Sequence, residues 1–147
     1  MLRNCVVSLL FIGALCFFDA CPAQIQNNAE EAFRISSDTN KPVLLVFAGS
    51  DWCANCIRFE KRILSATDFL SFAEKSIVVL KADFPQRTSL PSSLQEQNAS
   101  LAEQYNPDGV FPYLLLLTPG KSVLSSLSYT NQSPIEFIDE IKTYISK

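Results

Sequence analysis

Apolar residues in this chain fall into two rhythms, short unbroken runs and helically spaced stripes, set apart by turn-forming residues. Val43 to Phe47 is a continuous run rich in Val and Leu, the pattern of a strand buried on both faces. Ile77 to Leu80 is a second such run and ends in Lys81-Ala82-Asp83. Tyr113 to Leu117 is a third, entered through Phe111-Pro112. Pro119-Gly120 turns it back into Val123 to Leu127, so these two segments predict a hairpin.

The helical stripes lie between and around these runs. From Gln24 to Asn40, Ile25, Ala29, Ala32, Phe33 and Ser36 are spaced for a helix, with Asn28 ahead of Glu30 and Glu31 at its start. Asp38 to Pro42 ends it. A helix from Cys53 to about Leu64 buries Cys56, Ile57, Ile63 and Leu64 and leaves Arg58, Glu60, Lys61 and Arg62 in water. Thr67 or Asp68 caps a short helix covering Phe69, Leu70, Phe72 and Ala73. Leu94, Leu101, Ala102 and Tyr105 mark another, interrupted by Asn98, and Asn106-Pro107-Asp108-Gly109 turns the chain after it. Phe84 to Ser93 is a surface loop on the rim of any site nearby. Ser133-Pro134 opens the last helix, with Ile135, Ile138, Ile141 and Ile145 as its apolar face.

One junction carries chemistry. After the Val43–Phe47 run, Gly49 and Ser50 break the strand, Asp51 offers a cap, and Trp52-Cys53-Ala54-Asn55-Cys56 opens a helix. The free N–H groups and partial positive charge of a helix start favour a thiolate over a thiol. Cys53, nearer the helix end, is the attacking thiolate, and Cys56, a turn further in, the resolving thiol. The same pair could be structural cysteines or half of a metal site. The strand–CxxC–helix context favours redox chemistry.

Composition narrows the alternatives. The chain has 147 residues, 48% hydrophobic and 18% charged, which suits one domain with a sizeable core. The net charge is -3 with Lys and Arg scattered, so nothing offers a grip on nucleic acid. There is no histidine, which removes Ser-His-Asp and Cys-His catalysis and His-ligated metal. Residues 1 to 23 read as a secretory signal: Arg3 is the basic start, Cys5 to Phe18 is apolar, and Ala20 and Ala23 offer cleavage positions. The apolar run is shorter than the ~20 residues of a membrane span. A retained signal or a lipidated Cys21 would instead anchor the protein. With Cys5, Cys16 and Cys21 gone, the domain at 24–147 keeps only Cys53 and Cys56 of five cysteines. A lone CxxC in an exported chain is not a disulfide scaffold, and two thiolates do not make a four-cysteine zinc site.

The order helix, strand, CxxC helix, strand, helix, Pro-led strand, strand, helix, with Trp52-Cys53-Ala54-Asn55-Cys56 and the Phe111-Pro112 step before an apolar hairpin, resembles the thioredoxin superfamily over essentially the whole domain. The resemblance implies an α/β, thioredoxin-like fold with a central mixed β-sheet flanked by helices. It implies Cys53 as exposed nucleophile, Cys56 as buried resolving cysteine and Trp52 as flanking aromatic. Pro112 stands for the family's cis-proline, which faces the disulfide and, through the backbone of Phe111, helps bind an extended substrate strand. Trp52, Phe111 and Tyr113 would form an apolar rim.

Two departures stand out. Many thioredoxins carry a buried Asp six residues before the nucleophile, and Phe47 is found there. Lys81 matches, loosely, a family lysine that tunes the resolving thiol; otherwise it is a solvated strand-end residue, as Arg58 is a solvated helix residue. The Ala54-Asn55 dipeptide is uncharged, so the disulfide should be fairly reducing. The sequence therefore predicts an exported, periplasmic thiol–disulfide reductase. It would be monomeric, need no cofactor or metal, act on protein disulfides and be fed by a membrane thiol-relay reductant. The same site run as an oxidase or isomerase is the nearer alternative. A dithiol Cu(I) chaperone is the other, and it lacks supporting Met or His.

Overall fold

A computed structural model describes residues 25–146 of the chain; the signal expected over residues 1–23 lies outside them. The element order is α1 (Ala29–Thr39), β1 (Val43–Ala48), α2 (Ala54–Phe59) running into a π-helical turn (Glu60–Leu64), α3 (Thr67–Ser76), β2 (Val78–Asp83), α4 (Ser92–Tyr105), β3 (Tyr113–Leu117), β4 (Val123–Leu127) and α5 (Pro134–Ile145). The strands form one mixed sheet in the order β2-β1-β3-β4. β1 runs parallel to β2, with Val43 opposite Val78, and antiparallel to β3, with Val43 opposite Leu117. β3 and β4 close the antiparallel hairpin. Among the described residues no helix is long and apolar enough to cross a membrane.

The central strand explains the layering. All six residues of β1 are buried, because helices cover both faces of the sheet. Side chains alternate along it. Leu44, Val46 and Ala48 join Cys53, Cys56, Phe59, Ile63, Leu64, Phe69 and Phe137 on one face, beneath α2, α3 and α5. Val43, Leu45 and Phe47 join Ala32, Leu80, Leu101 and Leu115 on the other, beneath α1 and α4.

This parity corrects the expected place of the missing carboxylate. Phe47 points away from the CxxC helix and packs against Phe84 and Tyr113, ring centroids 6.4 and 6.3 Å away. A count of six back from Cys53 lands on the wrong face, and the strand face beneath the cysteines carries only Leu44, Val46 and Ala48.

Local signals account for most helix ends. The Asn28 side chain accepts the Glu31 N–H at 2.9 Å and starts α1; Ile25 and Gln26 precede it as extended chain, Gln26 bridging to Leu80 on the outer edge of β2. α1 ends on Asn40 in the left-handed region, φ 53°. Ser133 and Glu136 form a reciprocal capping box with Pro134 in the first turn of α5, and Glu136 is held below the usual carboxylate range by the Ser133 backbone N–H and hydroxyl.

Some expected core positions are taken by neighbours. Ile57 and Ile135 are exposed, while Phe59 and Phe137 are buried and meet edge to face at 5.3 Å. The π-turn re-phases the helix after Phe59, which brings Ile63 and Leu64 onto the core. In α3 the buried residues are Phe69 and Ala73, with Leu70 and Phe72 half-buried, and Ala66 precedes it without a side-chain cap. Asn98, read as a polar interruption, is buried and donates to the Asp83 carbonyl at 2.9 Å. β4 is the sheet edge, with Val123 and Leu124 exposed. In its hairpin Lys121, φ 66°, takes the left-handed position.

Candidate active site

β1 ends at Ala48 and the chain turns tightly into α2. The Gly49 carbonyl accepts the N–H groups of Trp52 and Cys53, at 3.4 and 2.9 Å. A Cβ on Gly49 would overlap the Trp52 indole, so only glycine lets the ring lie across the strand end. Cys53 is the N-cap residue of α2: its sulfur accepts the Cys56 N–H at 3.2 Å. The two cysteines are joined as a disulfide, Cα atoms 5.2 Å apart. Cys53 is 8% exposed and Cys56 3%, so the pair presents its Cys53 side to solvent.

Asp51 does not cap this helix. Its carboxylate reaches across to the loop after β2, where it accepts the N–H groups of Gln86, Arg87 and Thr88 at 2.8, 2.7 and 3.0 Å. These bonds, from Gln86 foremost and then Arg87 and Thr88, hold its pKa below the ordinary aspartate value. Ser50 is tied to the same region, its N–H and hydroxyl donating to Asp83 at 3.0 and 2.6 Å.

An aromatic wall stands beside the disulfide. The Trp52 Nε1–H donates to the Phe84 carbonyl at 2.7 Å. Trp52 meets Phe111 edge-on at 5.4 Å, and Phe84 meets Phe111 at the same distance. The Phe111–Pro112 peptide is cis and leads directly into β3. Tyr113, expected on this rim, belongs instead with Phe47 on the opposite sheet face. Phe84 takes its place in the wall; a lone Phe opening a polar loop gave little sign of it.

Behind Cys56 lies a cavity of about 280 Å³ lined by Ala48, Ser50, Cys56, Ile57, Glu60 and Lys81, among others. Lys81 Nζ pairs with Glu60 Oε2 at 3.0 Å, the two side chains 18% and 40% exposed. Lys81 is therefore not a solvated strand-end residue, and Glu60, expected on the wet side, faces this cavity. The signal for Glu60 was its place four residues after Cys56, one turn on along the same helical face. Arg58 is exposed and bonded to Asn55 and Asn131 at 3.1 and 3.4 Å.

The family model described as thioredoxin-like matches residues 24–119. The chain belongs to the thioredoxin-like family. This thioredoxin-like chain is 30% identical over 113 residues to the disulfide bond reductase DsbH of Chlamydia pneumoniae, covering 77% of its own length and 68% of that protein's. A solved DsbH oxidoreductase superposes with a TM-score of 0.79 at 26% identity, over 95% of both chains. The oxidised C-terminal domain of Neisseria meningitidis DsbD shares the fold, with a TM-score of 0.52 at 17% identity, over 82% of this chain and 99% of that one. Fold, family and the Cys53–Cys56 pair together make the protein a thiol–disulfide oxidoreductase.

Proposed function

We propose that the protein works as a reductase of protein disulfides in an exported, periplasmic setting, as a monomer. The carrying observation is the Cys53–Cys56 disulfide at the start of α2 beside the Trp52–Phe84–Phe111 wall. The likeness to a relative named as a disulfide bond reductase sets the direction.

In the reduced protein the Cys53 thiolate attacks one sulfur of a substrate disulfide. That S–S bond breaks, the second substrate sulfur leaves as a thiolate and takes up a proton, and a mixed disulfide remains. Cys56 then loses its proton and attacks the Cys53 sulfur. The substrate's other thiol is released and the Cys53–Cys56 disulfide is regained, two electrons having passed to the substrate. Trp52, Phe111 and Pro112 seat the substrate strand. The Lys81–Glu60 pair serves the second step: the cavity it shares with Cys56 is roomy enough for water, with Glu60, Lys81 and Ser50 among its polar lining, which gives the buried thiol's proton a path to the carboxylate. A dithiol donor must then reduce the pair again, and a membrane thiol relay fits an exported protein.

The test is a pair of variants and a potential. Cys53→Ser abolishes turnover and Cys56→Ser accumulates mixed disulfides with substrate. Equilibration with glutathione buffers should place the pair near the thioredoxin end, about -270 mV, and a value near the strong-oxidant end, about -120 mV, would make the protein a disulfide donor instead.

A further inference from the structure

The loop after β2 is held in an unusual way. It spans a cavity of about 420 Å³ lined by Phe84, Pro85, Thr88, Leu90, Gln95 and Asn98, among others. From below, α4 holds the loop's two ends: Asn98 donates to the Asp83 carbonyl at 2.9 Å and Gln95 to the Leu90 carbonyl at 2.6 Å. The middle of the loop, residues 86–88, is held from the other side, by the Asp51 carboxylate accepting from three successive backbone N–H groups and, at 3.3 Å, from the Thr88 hydroxyl. Phe84 opens this loop, and its carbonyl is the acceptor for the Trp52 indole. Its ring is the third of four in a chain running Trp52, Phe111, Phe84, Phe47. Asp51 and Trp52 are neighbours in sequence, so one dipeptide grips the segment twice, at the N–H groups of residues 86–88 and at the Phe84 carbonyl.

We propose that Asp51 is a positioning residue for substrate. By fixing the backbone of residues 86–88 it sets Phe84, and through Phe84 the height and tilt of the Trp52–Phe111 wall beside Cys53. The wall is apolar and Val110, next to Phe111, is exposed, so the ligand it suits is an extended polypeptide segment with apolar side chains flanking its disulfide. This rests on the reductase reading above. A charge clamp is suited to the task because hydrogen bonds to an ionised carboxylate are short and strong compared with neutral ones. The alternative, a packed loop, would need a filled cavity.

The experiment uses the full domain, kept reduced by dithiothreitol and with the protein-free rate subtracted, on two synthetic peptides with one intramolecular disulfide each. One has Leu and Phe flanking the cysteines, the other Ser and Asn. Asp51→Ala should raise KM for the Leu/Phe peptide roughly three- to tenfold, the worth of one lost edge-to-face aromatic contact. Its kcat should stay within about twofold, and KM for the Ser/Asn peptide should move far less. Phe84→Ala should give the same KM change, and the double variant no more than either alone, because both act through one contact. Trp52 emission should shift to the red in Asp51→Ala. Unchanged KM with the Leu/Phe peptide, equal losses on both peptides, or additive effects in the double variant would overturn the positioning role. If Asp51→Ala fails to fold, Phe84→Ala with Thr88→Pro, which removes one of the three donors, answers the same question. Wild-type protein that reduces neither peptide would instead sink the reductase reading itself.

Discussion

Replacing Gly49 by Ala tests how the active-site turn is built. A Cβ at position 49 would sit inside the Trp52 indole, and the strand backbone there is pinned by the sheet. Two outcomes compete. If the ring holds its place, the overlap is relieved by backbone movement at the end of β1, and such overpacking costs about 1–3 kcal/mol or more. If the ring swings out, the cost is capped by what it leaves behind. That is one hydrogen bond to the Phe84 carbonyl, worth about 1 kcal/mol net, and one edge-to-face contact with Phe111, worth about 0.5–1.5 kcal/mol. Trp52 is 38% exposed, so the way out is open, and the second outcome should prevail with a loss of about 2 kcal/mol. For a domain of this size that is a fall in Tm of about 8 °C. Trp52 is the chain's single tryptophan, so its emission follows both events. Urea unfolding of the oxidised protein gives the stability, and the native spectrum should be shifted to the red. An unshifted spectrum with a loss of about 1 kcal/mol or more would mean that the backbone yielded rather than the ring. Full stability with an unshifted spectrum would refute the close approach itself.

Other outcomes follow from the same structure. The Tyr129 hydroxyl is buried without a hydrogen-bond partner while its ring meets Phe59 at 5.2 Å; Tyr129→Phe should therefore hold stability or raise it by about 1 kcal/mol in denaturant titration. Phe59→Ala removes a ring packed on Phe137 beneath the CxxC helix and should cost about 3–5 kcal/mol. Glu60→Gln should change stability by less than about 1 kcal/mol, since the pair with Lys81 is partly exposed. It should instead slow release of substrate from the mixed disulfide, read by quenched-flow with thiol trapping. Asp51 has its pKa lowered in the folded state, by the Gln86, Arg87 and Thr88 N–H groups. Its contribution to stability is therefore complete above the ordinary aspartate pKa and lost as pH falls through the lowered one. The urea midpoint of Asp51→Asn should fall less than that of wild type on acidification.

The fold was legible because its elements announce themselves at both ends. Unbroken Val and Leu runs marked β1, β2 and β3, and Asn28 and Ser133-Pro134 marked helix starts that the hydrogen bonds bear out. The CxxC junction was equally plain, since its chemistry lies in adjacent residues. What stayed hidden depends on phase and on distance. The π-turn shifts the helical register, which no 3.6-residue count anticipates, and so Ile57 was expected inside and Phe59 was not. In α5 the stripe was placed on Ile135 where Phe137 carries it. Phe47 failed for a parallel reason: the turn between β1 and Cys53 sets which face a count of six reaches. Asp51 and Glu60 both looked like ordinary helix-start and helix-surface acids, because their partners lie 21 to 37 residues on, in the β2 region.

The π-turn at Glu60–Leu64 has a further meaning for how such a protein changes over time. A π-turn is equivalent to one residue added to an α-helix, and one residue rotates everything beyond it by about 100°. The α-helical part that holds Cys56 is therefore decoupled in angle from the far end of the π-turn, which anchors Ile63 and Leu64 in the core. Substitution alone could not aim the dithiol and the anchor independently on a straight helix, since each face would be bound to the other's rotation. Insertion and deletion at this one turn form a coarse dial for the direction of the active cysteines, and point changes around it form the fine one. Relatives that differ by a single residue between the second cysteine and the buried Ile-Leu pair should accordingly differ in where their cysteines face rather than in how well they fold.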